Sequence, residues 1–368
     1  MSYLKKIERS GKKLLVKILK FVFPARTGVD AAQLKKAHIK KILIIRLEQK
    51  LGNLVMTTFF PRALKDIYPE ADIDILVHES LKTIWDNNPF VSRLVIFSHK
   101  KHLHNPVRLI KFLYLLRRSR YDLVMDCSTP GGFSLSNGLL ARLTGAPFQA
   151  GFKRGESDHF LNATVSPDQT KHYVDILHDL LDLFTSDKKR YQPEIFLTDK
   201  ETSSAHEKLA SSGINTCNNL IFIWVGARHI KQWEIEHFKS LAKSLRGASD
   251  VRVLYLCGPQ EKQLYDDLSG EEPGKALYID DFRELTALIQ QCSLFVSGDA
   301  GPLHLAAALD IDTVGIFLQN NYTMYGYDDG KKHRIVDLSN DRDNVQKVID
   351  ICREVLNISN KLHKNPSK

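Results

Sequence analysis

Cysteine is scarce in this chain, with five residues among 368, widely spaced and without a C-x-x-C pair. A disulfide framework is therefore not predicted, and a reducing cytoplasm suits this composition best. Long hydrophobic runs are also lacking, because no stretch of 18 apolar residues occurs, and we expect no membrane-spanning helix. The start of the chain shows neither the apolar core nor the small-residue cleavage site of a signal peptide.

Several signatures of ligand sites are missing as well. The fourteen histidines show no H-x-x-x-H spacing, so no metal site is predicted, and no cofactor is expected. Neither G-x-x-x-x-G-K-[ST] nor G-x-G-x-x-G occurs, so P-loop and dinucleotide-dehydrogenase functions lack their signature. The 43% hydrophobic and 26% charged residues are those of an ordinary folded protein, and the length favours two domains.

Positive charge is concentrated at the start of the chain. The net charge is +9, yet residues 1–41 alone carry twelve Lys and Arg against two acids. The sequence therefore predicts a basic arm and no nucleic-acid partner. Within residues 3–23, apolar residues recur at three- and four-residue spacing between lysines. Such an amphipathic helix either lies on an anionic membrane surface or packs its apolar stripe on the protein itself.

After the arm, strand and helix patterns alternate in two series. The first consists of predicted strands 41–47, 71–78, 93–97 and 121–126 and predicted helices 54–67 and 106–118. The second consists of predicted strands 219–226, 251–258, 275–279, 292–298 and 312–317 and predicted helices 233–246, 261–268, 282–291 and 302–309. This order predicts an α/β fold of two Rossmann-like, doubly wound parallel-sheet domains that face a cleft.

The predicted divisions of the chain follow from this order. They are a basic amphipathic arm at 1–38, a first domain at 39–190, a linker at 191–218, a second domain at 219–340, and a C-terminal helix and tail at 341–368. The last helix, near residues 343–357, could return to the first domain. Ligands of doubly wound folds bind beyond the carboxyl ends of the strands, so the loops there contain the candidate site residues.

Two of these strand-end loops carry candidate binding groups. Residues 46–53 lead straight into a helix through Gly52, and a glycine there lets a ligand approach the backbone amides. Residues 226–233 place Arg228 and Lys231 just beyond a buried strand and before a helix. Two cations beside free helix amides suit a diphosphate. The alternative is a plain strand-to-helix turn for residues 46–53 and a solvated, helix-capping loop for residues 226–233.

A third loop, residues 297–304, brackets Asp299 with small residues. Its Pro302 opens a helix that has His304 in the first turn. The glycines and amides of this loop suit phosphate oxygens, and Asp299 suits sugar hydroxyls. The alternative is a tight turn with a capping aspartate.

Three stretches carry a family resemblance: KILIIRLEQKLGNLVMTTFFPRALKDIYPEADIDILV, WVGARHIKQWEIEHFKSLAKSL and VSGDAGPLHLAAALDIDTVGIF. The last is the most specific, because a small-Asp-small-Gly-Pro-x-His opening followed by Leu-Ala-Ala is unusual. The chain resembles the bacterial ADP-heptose:lipopolysaccharide heptosyltransferases, glycosyltransferase family nine, over about residues 40–355. The resemblance implies a GT-B fold whose first domain binds the acceptor and whose second domain binds the nucleotide sugar.

The resemblance also implies a reaction, the inverting and metal-independent transfer of heptose from ADP-heptose to the inner core of lipopolysaccharide. Carried over onto this sequence, the donor-binding residues are Lys231, Gly258, Asp299, Ala300, Gly301 and His304, with Arg228 added from its position. The predicted acceptor-binding residues are Arg46, Gly52, Lys100 and Lys101.

The sequence departs from the family at the residue that would act as general base. The family's Gly-Asp is Gly52-Asn53 here, and an amide cannot take up a proton as a carboxylate does. Three explanations stay open. Glu48 in the same loop supplies the carboxylate, an acceptor phosphate or another acid of the first domain does so, or the protein is slow or catalytically dead. Ala300 is a second departure, because a hydroxyl residue is common at that position.

Acidic residues are absent between Asp86 and Asp122, where eight Lys and Arg and three His occur. This stretch, which includes Lys100 and Lys101, is either an anionic acceptor site or a helix with a basic outer face and its apolar side chains packed inward.

The sequence thus predicts a heptosyltransferase that is peripheral on the cytoplasmic face of the inner membrane through residues 1–38. Its predicted partners are ADP-heptose or a similar nucleotide sugar, a lipopolysaccharide inner-core acceptor and an anionic membrane surface. Two alternatives stay open. One is a related glycosyltransferase with another donor or acceptor. The other is a non-catalytic binding protein for the nucleotide sugar or the lipopolysaccharide core, which Asn53 would allow.

Overall fold

The computed structural model describes residues 19, 21, 23–214, 219–247 and 251–363, with only the backbone at residues 229 and 357–363. The amphipathic helix predicted over residues 3–23 lies outside these ranges except for its last positions. The described part of the chain contains two parallel sheets, each covered by helices. No helix within these ranges is long and apolar enough to cross a membrane.

The first sheet has six parallel strands in the spatial order β3-β2-β1-β4-β5-β6. The strands are β1 (Lys41–Arg46), β2 (Asp72–His78), β3 (Arg93–Phe97), β4 (Leu123–Asp126), β5 (Phe148–Phe152) and β6 (Ala163–Val165). Every residue of β1 after Lys41 is buried, because helices cover both faces of the sheet. The register places Ile44 between Ile75 of β2 and Met125 of β4.

The helices of this half run beside the sheet. They are α1 (Ala31–Lys36), α2 (Leu51–Val55), α3 (Phe60–Ile67), α4 (His99–Leu103), α5 (Pro106–Arg118), α6 (Leu135–Thr144) and α7 (Tyr173–Leu181). The start and end predicted for α5 are confirmed. The Asn105 side chain accepts a hydrogen bond from the Arg108 amide at 3.0 Å, and Pro106 occupies the first helical position.

The second sheet also has six parallel strands, in the order β12-β11-β10-β7-β8-β9. The strands are β7 (Asn219–Trp224), β8 (Val251–Cys257), β9 (Ala276–Tyr278), β10 (Leu294–Gly298), β11 (Thr313–Phe317) and β12 (His333–Asp337). Counted within each half, both sheets have the strand order 3-2-1-4-5-6 of Rossmann folds. The prediction of two doubly wound α/β halves is confirmed.

Helix α8 (Asp199–Ser211) lies between the two sheets in the chain, and its N-terminus is closed by a capping box of Thr198 and Glu201. The helices of the second half are α9 (Ile235–Leu245), α10 (Lys262–Glu271), α11 (Phe282–Ile289), α12 (Gly301–Ala308), α13 (Tyr322–Tyr325) and α14 (Val345–His363). The predicted domain boundaries stay predictions.

The single helix predicted over residues 54–67 is wrong, because the structure has two helices there, α2 and α3. The hydroxyls of Thr57 and Thr58 donate to carbonyl oxygens three residues back in the chain. The amides of both threonines donate to the same carbonyl oxygens, so tight turns take the place of α-helical bonds there. Pro61 near the start of α3 has no amide to continue the first helix.

The last helix, α14, does not return to the first half. Val348, Cys352 and Val355 are fully buried in the core of the second sheet. Their spacing of four and three residues forms one apolar stripe, which packs against α9 and β12.

The two halves touch each other along the cleft. Helix α2 of the first half packs on α12 of the second, and one hydrophobic cluster continues through both halves. Arg283 of α11 adds a polar link, because it donates to Glu201 of α8 and to the carbonyl oxygen of Thr83 in the first half at 3.4 Å.

Candidate active site

The first side of the cleft is formed by the loop after β1 and the start of α2. Asn53 donates a hydrogen bond from Nδ2 to Oε1 of Glu48 at 2.7 Å. A carboxylate only accepts hydrogen bonds, so this contact fixes which end of the Asn53 amide faces Glu48. The Glu48 side chain is 16% exposed, and Lys50 Nζ lies 3.7 Å from its Oε1. The loop therefore holds one carboxylate, oriented by its neighbours, at the carboxyl edge of the sheet.

Arg46, the last residue of β1, anchors this loop. Its fully buried guanidinium donates to the carbonyl oxygen of Asn53 at 2.8 Å, to that of Cys127, and to the hydroxyl of Tyr173 at 3.2 Å. Its Nη2 also lies 3.2 Å from Oε2 of Glu48. Burial acts to lower the pKa of Arg46, but Tyr173 and Glu48 outweigh it, and the pKa lies above its ordinary value. The charge of Arg46 is therefore permanent.

The opposite side of the cleft is formed by the loops after β7, β10 and β11. Lys231, in the short 3₁₀ turn His229–Lys231, forms an ion pair with Asp299. Asn321 donates from Nδ2 to the same carboxylate oxygen at 2.6 Å. The side chain of Lys231 is 31% exposed and that of Asp299 is 8% exposed, so the ammonium is the more accessible partner. The ring of Tyr325 lies 5.8 Å from this ammonium.

His304, in the first turn of α12, is buried against the same side. Its Nδ1 lies 3.0 Å from the hydroxyl of Tyr327, and the ring of His172 packs edge-on against Tyr327 with centroids 5.2 Å apart. Burial lowers the pKa of His304 and of His172 and raises the pKa of Tyr327. All three groups are therefore neutral near pH 7, and His304 can offer a hydrogen bond to a ligand but no charge.

Two glycines let the halves approach each other at this point. A Cβ atom on Gly52 would lie 2.3 Å from Cδ2 of His304, and a Cβ on Gly301 would lie 2.9 Å from Cβ of Leu51. No other residue type fits at either position without moving its neighbours. The starts of α2 and α12 therefore face each other directly. The ring of Tyr325 links the two sides, because it lies 5.8 Å from the Lys231 ammonium and packs at 5.8 Å on Tyr173, whose hydroxyl Arg46 contacts.

The remaining predicted donor residues lie around the start of α12 and the ends of β7 and β8. Ala300 is the N-cap of α12 and provides no side-chain acceptor, so the first amides of this helix have no side-chain cap. Arg228 is exposed on the loop after β7. Gly258 is buried at the end of β8, where a Cβ would lie 2.8 Å from the ring of Trp224.

The predicted acceptor residues fall into two groups. Gly52 lines the cleft, and Arg46 is fully buried, with bonds to Asn53, Cys127 and Tyr173. Lys100 and Lys101 are exposed on α4, and Lys101 pairs with Glu79 at 2.6 Å. In the described residues, the contacts of these two lysines do not join them to the cleft loops, and their contact with an acceptor stays a prediction.

Five residues of this site are missed by the sequence patterns: His172, Tyr173, Asn321, Tyr325 and Tyr327. Asn321, Tyr325 and Tyr327 lie in the segment between β11 and β12, which follows a strand end like the other three loops, so the strand-end rule points to this segment. His172 and Tyr173 begin α7, which no sequence motif marks, and their proximity to the cleft is visible only in the fold.

The arrangement can separate two chemical tasks. The first half offers a carboxylate, Glu48, which can accept a proton. The second half offers the ammonium of Lys231 and the uncapped start of α12, which can stabilise a departing anion. The cleft between them is the place where a hydroxyl and an activated group would meet.

Comparison with known proteins agrees with this geometry. The model of glycosyltransferase family 9 (heptosyltransferase) matches residues 109–354. Lipopolysaccharide heptosyltransferase 3 of Escherichia coli is 26% identical over 291 residues, which cover 72% of this chain and 80% of that protein.

Two solved structures share the fold. A glycosyl transferase family 9 structure from Veillonella parvula superimposes with a TM-score of 0.71 at 19% identity, covering 92% of this chain and 97% of that one. The E. coli ADP-heptose lipopolysaccharide heptosyltransferase II superimposes with a TM-score of 0.66 at 21% identity, covering 88% and 98%. Because the family model matches more than half of the chain, this protein belongs to glycosyltransferase family 9, the heptosyltransferases, and the sequence-based prediction of a GT-B glycosyltransferase is confirmed.

Proposed function

We propose that this enzyme transfers heptose from ADP-heptose to the inner core of lipopolysaccharide, with inversion at the anomeric carbon and without a metal ion in the chemistry. The observation that carries the proposal is the close approach of α2 and α12, because the Glu48 loop leads into the first helix and the Lys231–Asp299 pair stands at the start of the second. The names of the relatives support the substrates, because the E. coli heptosyltransferase II is described as an ADP-heptose lipopolysaccharide enzyme.

The second half would hold the donor. Lys231 and the exposed Arg228 would contact the diphosphate, together with the amides at the start of α12. Asp299, held by Lys231 and Asn321, would accept hydrogen bonds from the heptose hydroxyls. His304 is neutral, so it would donate or accept one hydrogen bond at the phosphates while Lys231 and Arg228 supply the charge.

The first half would bind the acceptor and supply the base. Glu48 would take the proton of the acceptor hydroxyl as its oxygen attacks the anomeric carbon. The bond between that carbon and the diphosphate oxygen breaks, and ADP leaves with the electron pair. Lys231 and the amides of α12 lower the energy of the charge that develops on the departing ADP. Asn53 would then act as a positioning residue, because its amide holds Oε1 of Glu48.

Asn53 also favours one alternative, a non-catalytic binding protein for the nucleotide sugar or the lipopolysaccharide core. In that case Glu48 is only the acceptor of the Asn53 amide and the partner of Arg46. A related glycosyltransferase with another donor or acceptor is the second alternative.

Release of ADP from ADP-heptose, measured with and without extracted inner-core acceptor, distinguishes these functions. We expect release that depends on the acceptor. ADP-heptose binding by calorimetry without release would support the binding protein and contradict the enzyme. Absence of donor binding would show that the donor is a different nucleotide sugar. Release stimulated only by an acceptor without lipid A would contradict the proposed acceptor.

We also propose that the protein works at the cytoplasmic face of the inner membrane, with residues 1–38 on the anionic surface. Of that segment, Leu34 in α1 is fully buried, and Arg26 donates to the carbonyl oxygen of Ala146 at 3.1 Å. The end of the arm is thus attached to the first half, which would tie membrane contact to the acceptor side of the cleft.

A further inference from the structure

The outer face of α5 is apolar where a solvated helix would be polar. Val107, Ile110 and Tyr114 are 76%, 66% and 59% exposed. Their spacing of three and four residues places them in one stripe along the helix. On the opposite face, Leu116 is buried in the core of the first half. Helix α5 therefore has two apolar faces, one packed on the core and one exposed. We call the stripe of Val107, Ile110 and Tyr114 the outer face of α5.

Cations border this stripe. Lys111 and Arg118 are exposed and lie one turn from Val107 and Tyr114 on the same side of the helix. The stretch between Asp86 and Asp122 contains no acidic residue. Among the described residues, no carboxylate forms an ion pair with Lys111 or Arg118, so their charge faces outward unneutralised.

The basic N-terminal arm reaches the same region. Leu19 packs against the same hydrophobic cluster as Leu109, Phe112 and Leu113, the inward residues of α5, and this cluster includes Leu116. Phe21, two positions later, is 92% exposed. The arm joins the body at α6, where Arg142 donates to the carbonyl oxygen of Pro24, and α6 packs against α5. Residues 1–20 carry seven Lys and Arg.

The start of α5 lies at the edge of the sheet that carries the site. Strand β3 ends at Phe97, and only α4 and the Asn105 cap separate it from Pro106. Because β1 and β3 are parallel strands of one sheet, their carboxyl ends point to the same edge. A surface that contacts the outer face of α5 would therefore lie beside the acceptor side of the cleft.

We propose that the outer face of α5 docks on an anionic lipid bilayer, as a second contact beside residues 1–38. The apolar stripe enters the boundary between headgroups and acyl chains, while Lys111 and Arg118 contact the lipid phosphates. Charge complementarity selects this partner, since unpaired bases and an apolar stripe on one helix are the features that an anionic interface binds. The inference rests on the proposed function only for its purpose, the delivery of a lipid-linked acceptor to the cleft.

The test is vesicle binding by the full chain, without donor or acceptor. The vesicles contain phosphatidylglycerol and phosphatidylcholine in a one-to-two ratio. We expect the triple variant Val107→Ser, Ile110→Ser, Tyr114→Ser to bind about tenfold more weakly, because three apolar side chains no longer enter the interface. The double variant Lys111→Ser, Arg118→Ser should bind more weakly than the parent at low salt, whereas the control Lys243→Ser, Arg252→Ser in the second half removes the same charge and should bind like the parent.

A second measurement locates the contact. With Ile110→Trp, lipids that carry a quencher in the upper acyl chain should quench the new fluorescence, and with Lys243→Trp they should not. Unchanged binding by the triple variant, or no quenching at position 110, would overturn the proposal. The proposal would also be overturned if the parent were a dimer and the triple variant a monomer, because the outer face of α5 would then bind a second copy of the chain. The vesicle assays contain neither donor nor acceptor, so their result does not depend on whether the proposed heptosyl transfer occurs.

Discussion

At the scale of single residues, the unusual feature is a carboxylate and an amide where one carboxylate would be expected. Asn53 and Glu48 are five positions apart, and their side chains meet at 2.7 Å. Arg46 holds the same loop through the carbonyl oxygen of Asn53 and lies 3.2 Å from Oε2 of Glu48. The loop thus keeps one acid in a fixed place even though the position after Gly52 is not acidic.

Replacement of Glu48 tests whether this acid is the base. We expect Glu48→Gln to lower kcat by about 10²–10⁴-fold, because a positioned base contributes that much and the amide cannot take the proton. The donor affinity should not change, since Lys231 and the start of α12 are untouched. The measurement is steady-state ADP release together with calorimetry of ADP-heptose. Glu70→Gln, at an exposed position, is the matched control, and an unchanged kcat in Glu48→Gln would exclude Glu48.

Replacement of Asn53 tests the Asn53–Glu48 contact through the pH dependence of kcat/KM. Asn53→Asp would place a second carboxylate within hydrogen-bonding distance of Glu48, and the two acids would share a proton. We therefore expect the acidic limb of the pH profile of kcat/KM to move to higher pH by about 1 unit. An identical limb in the parent and Asn53→Asp would show that Glu48 does not govern the rate.

His304 makes stability depend on pH in a predictable direction. Burial lowers its pKa in the folded state, whereas the unfolded chain has an ordinary value of about 6.5. As the pH falls below that value, the unfolded state binds a proton that the folded state refuses, so stability present at pH 7 is lost toward pH 5.

The variant His304→Gln isolates this contribution from the other histidines. Between pH 7 and 5, we expect its free energy of unfolding to fall by about 1–2 kcal/mol less than that of the parent. Urea titrations at the two pH values give the comparison. The quantity compared is the change in unfolding free energy between pH 7 and pH 5, in the parent and in the variant. The absolute stability is not used, because loss of the contact with Tyr327 lowers it at both pH values. An equal change in the parent and in His304→Gln would mean that the pKa of His304 is not lowered in the folded state.

At the scale of elements, the site depends on how closely the starts of two helices approach. Gly52→Ala adds a methyl group 2.3 Å from the ring of His304, so α2 and α12 must separate or the ring must move. We expect a loss of about 1–3 kcal/mol in unfolding free energy, the usual cost of overpacking, and a lower kcat/KM. Gly131→Ala is the control, since nothing lies within 4 Å of the added atom. Parent-like stability and activity in Gly52→Ala would contradict the close contact.

The elements also show how far the sequence determines the fold. Helix α5 is predictable to the residue because its cap and its proline act within one turn. Strand β5, with the sequence FQAGF, is not, because its small residues have little strand preference and its burial comes from β4 and β6 on either side. The split of α2 from α3 lies at the tight turns of Thr57 and Thr58, whose amide and hydroxyl bonds a periodic pattern does not encode.

The site was predictable in the same uneven way. The strand-end rule locates Lys231, Asp299 and His304, because parallel strands bring their carboxyl ends to one edge. It gives no distances, so the bond between Asn53 and Glu48 and the packing of Tyr327 on His304 could not be read from the sequence.

At the scale of the whole molecule, the two halves are joined more extensively than a flexible linker would allow. One hydrophobic cluster contains Ile42 of the first sheet and Phe222 of the second. Arg283 links α11 to Glu201, and this guanidinium, through its hydrogen bonds, lowers the pKa of that carboxyl to about 2. We therefore expect the cleft to open for substrates with this cluster intact, by a small movement at α2 and α12.

This joint core makes unfolding cooperative across both halves. Urea transitions followed by tryptophan fluorescence and by far-UV circular dichroism should coincide, because neither half can keep its part of the cluster alone. Arg283→Gln should lower the unfolding free energy by about 1–3 kcal/mol without separating the transitions, since it leaves Glu201 and a backbone carbonyl without their charged donor. Arg334→Gln, which removes a surface pair with Glu354, should change it by less than about 1 kcal/mol. Two resolved transitions in the parent would instead mean that each Rossmann half has an independent core, and that the cleft can open as widely as the linker permits.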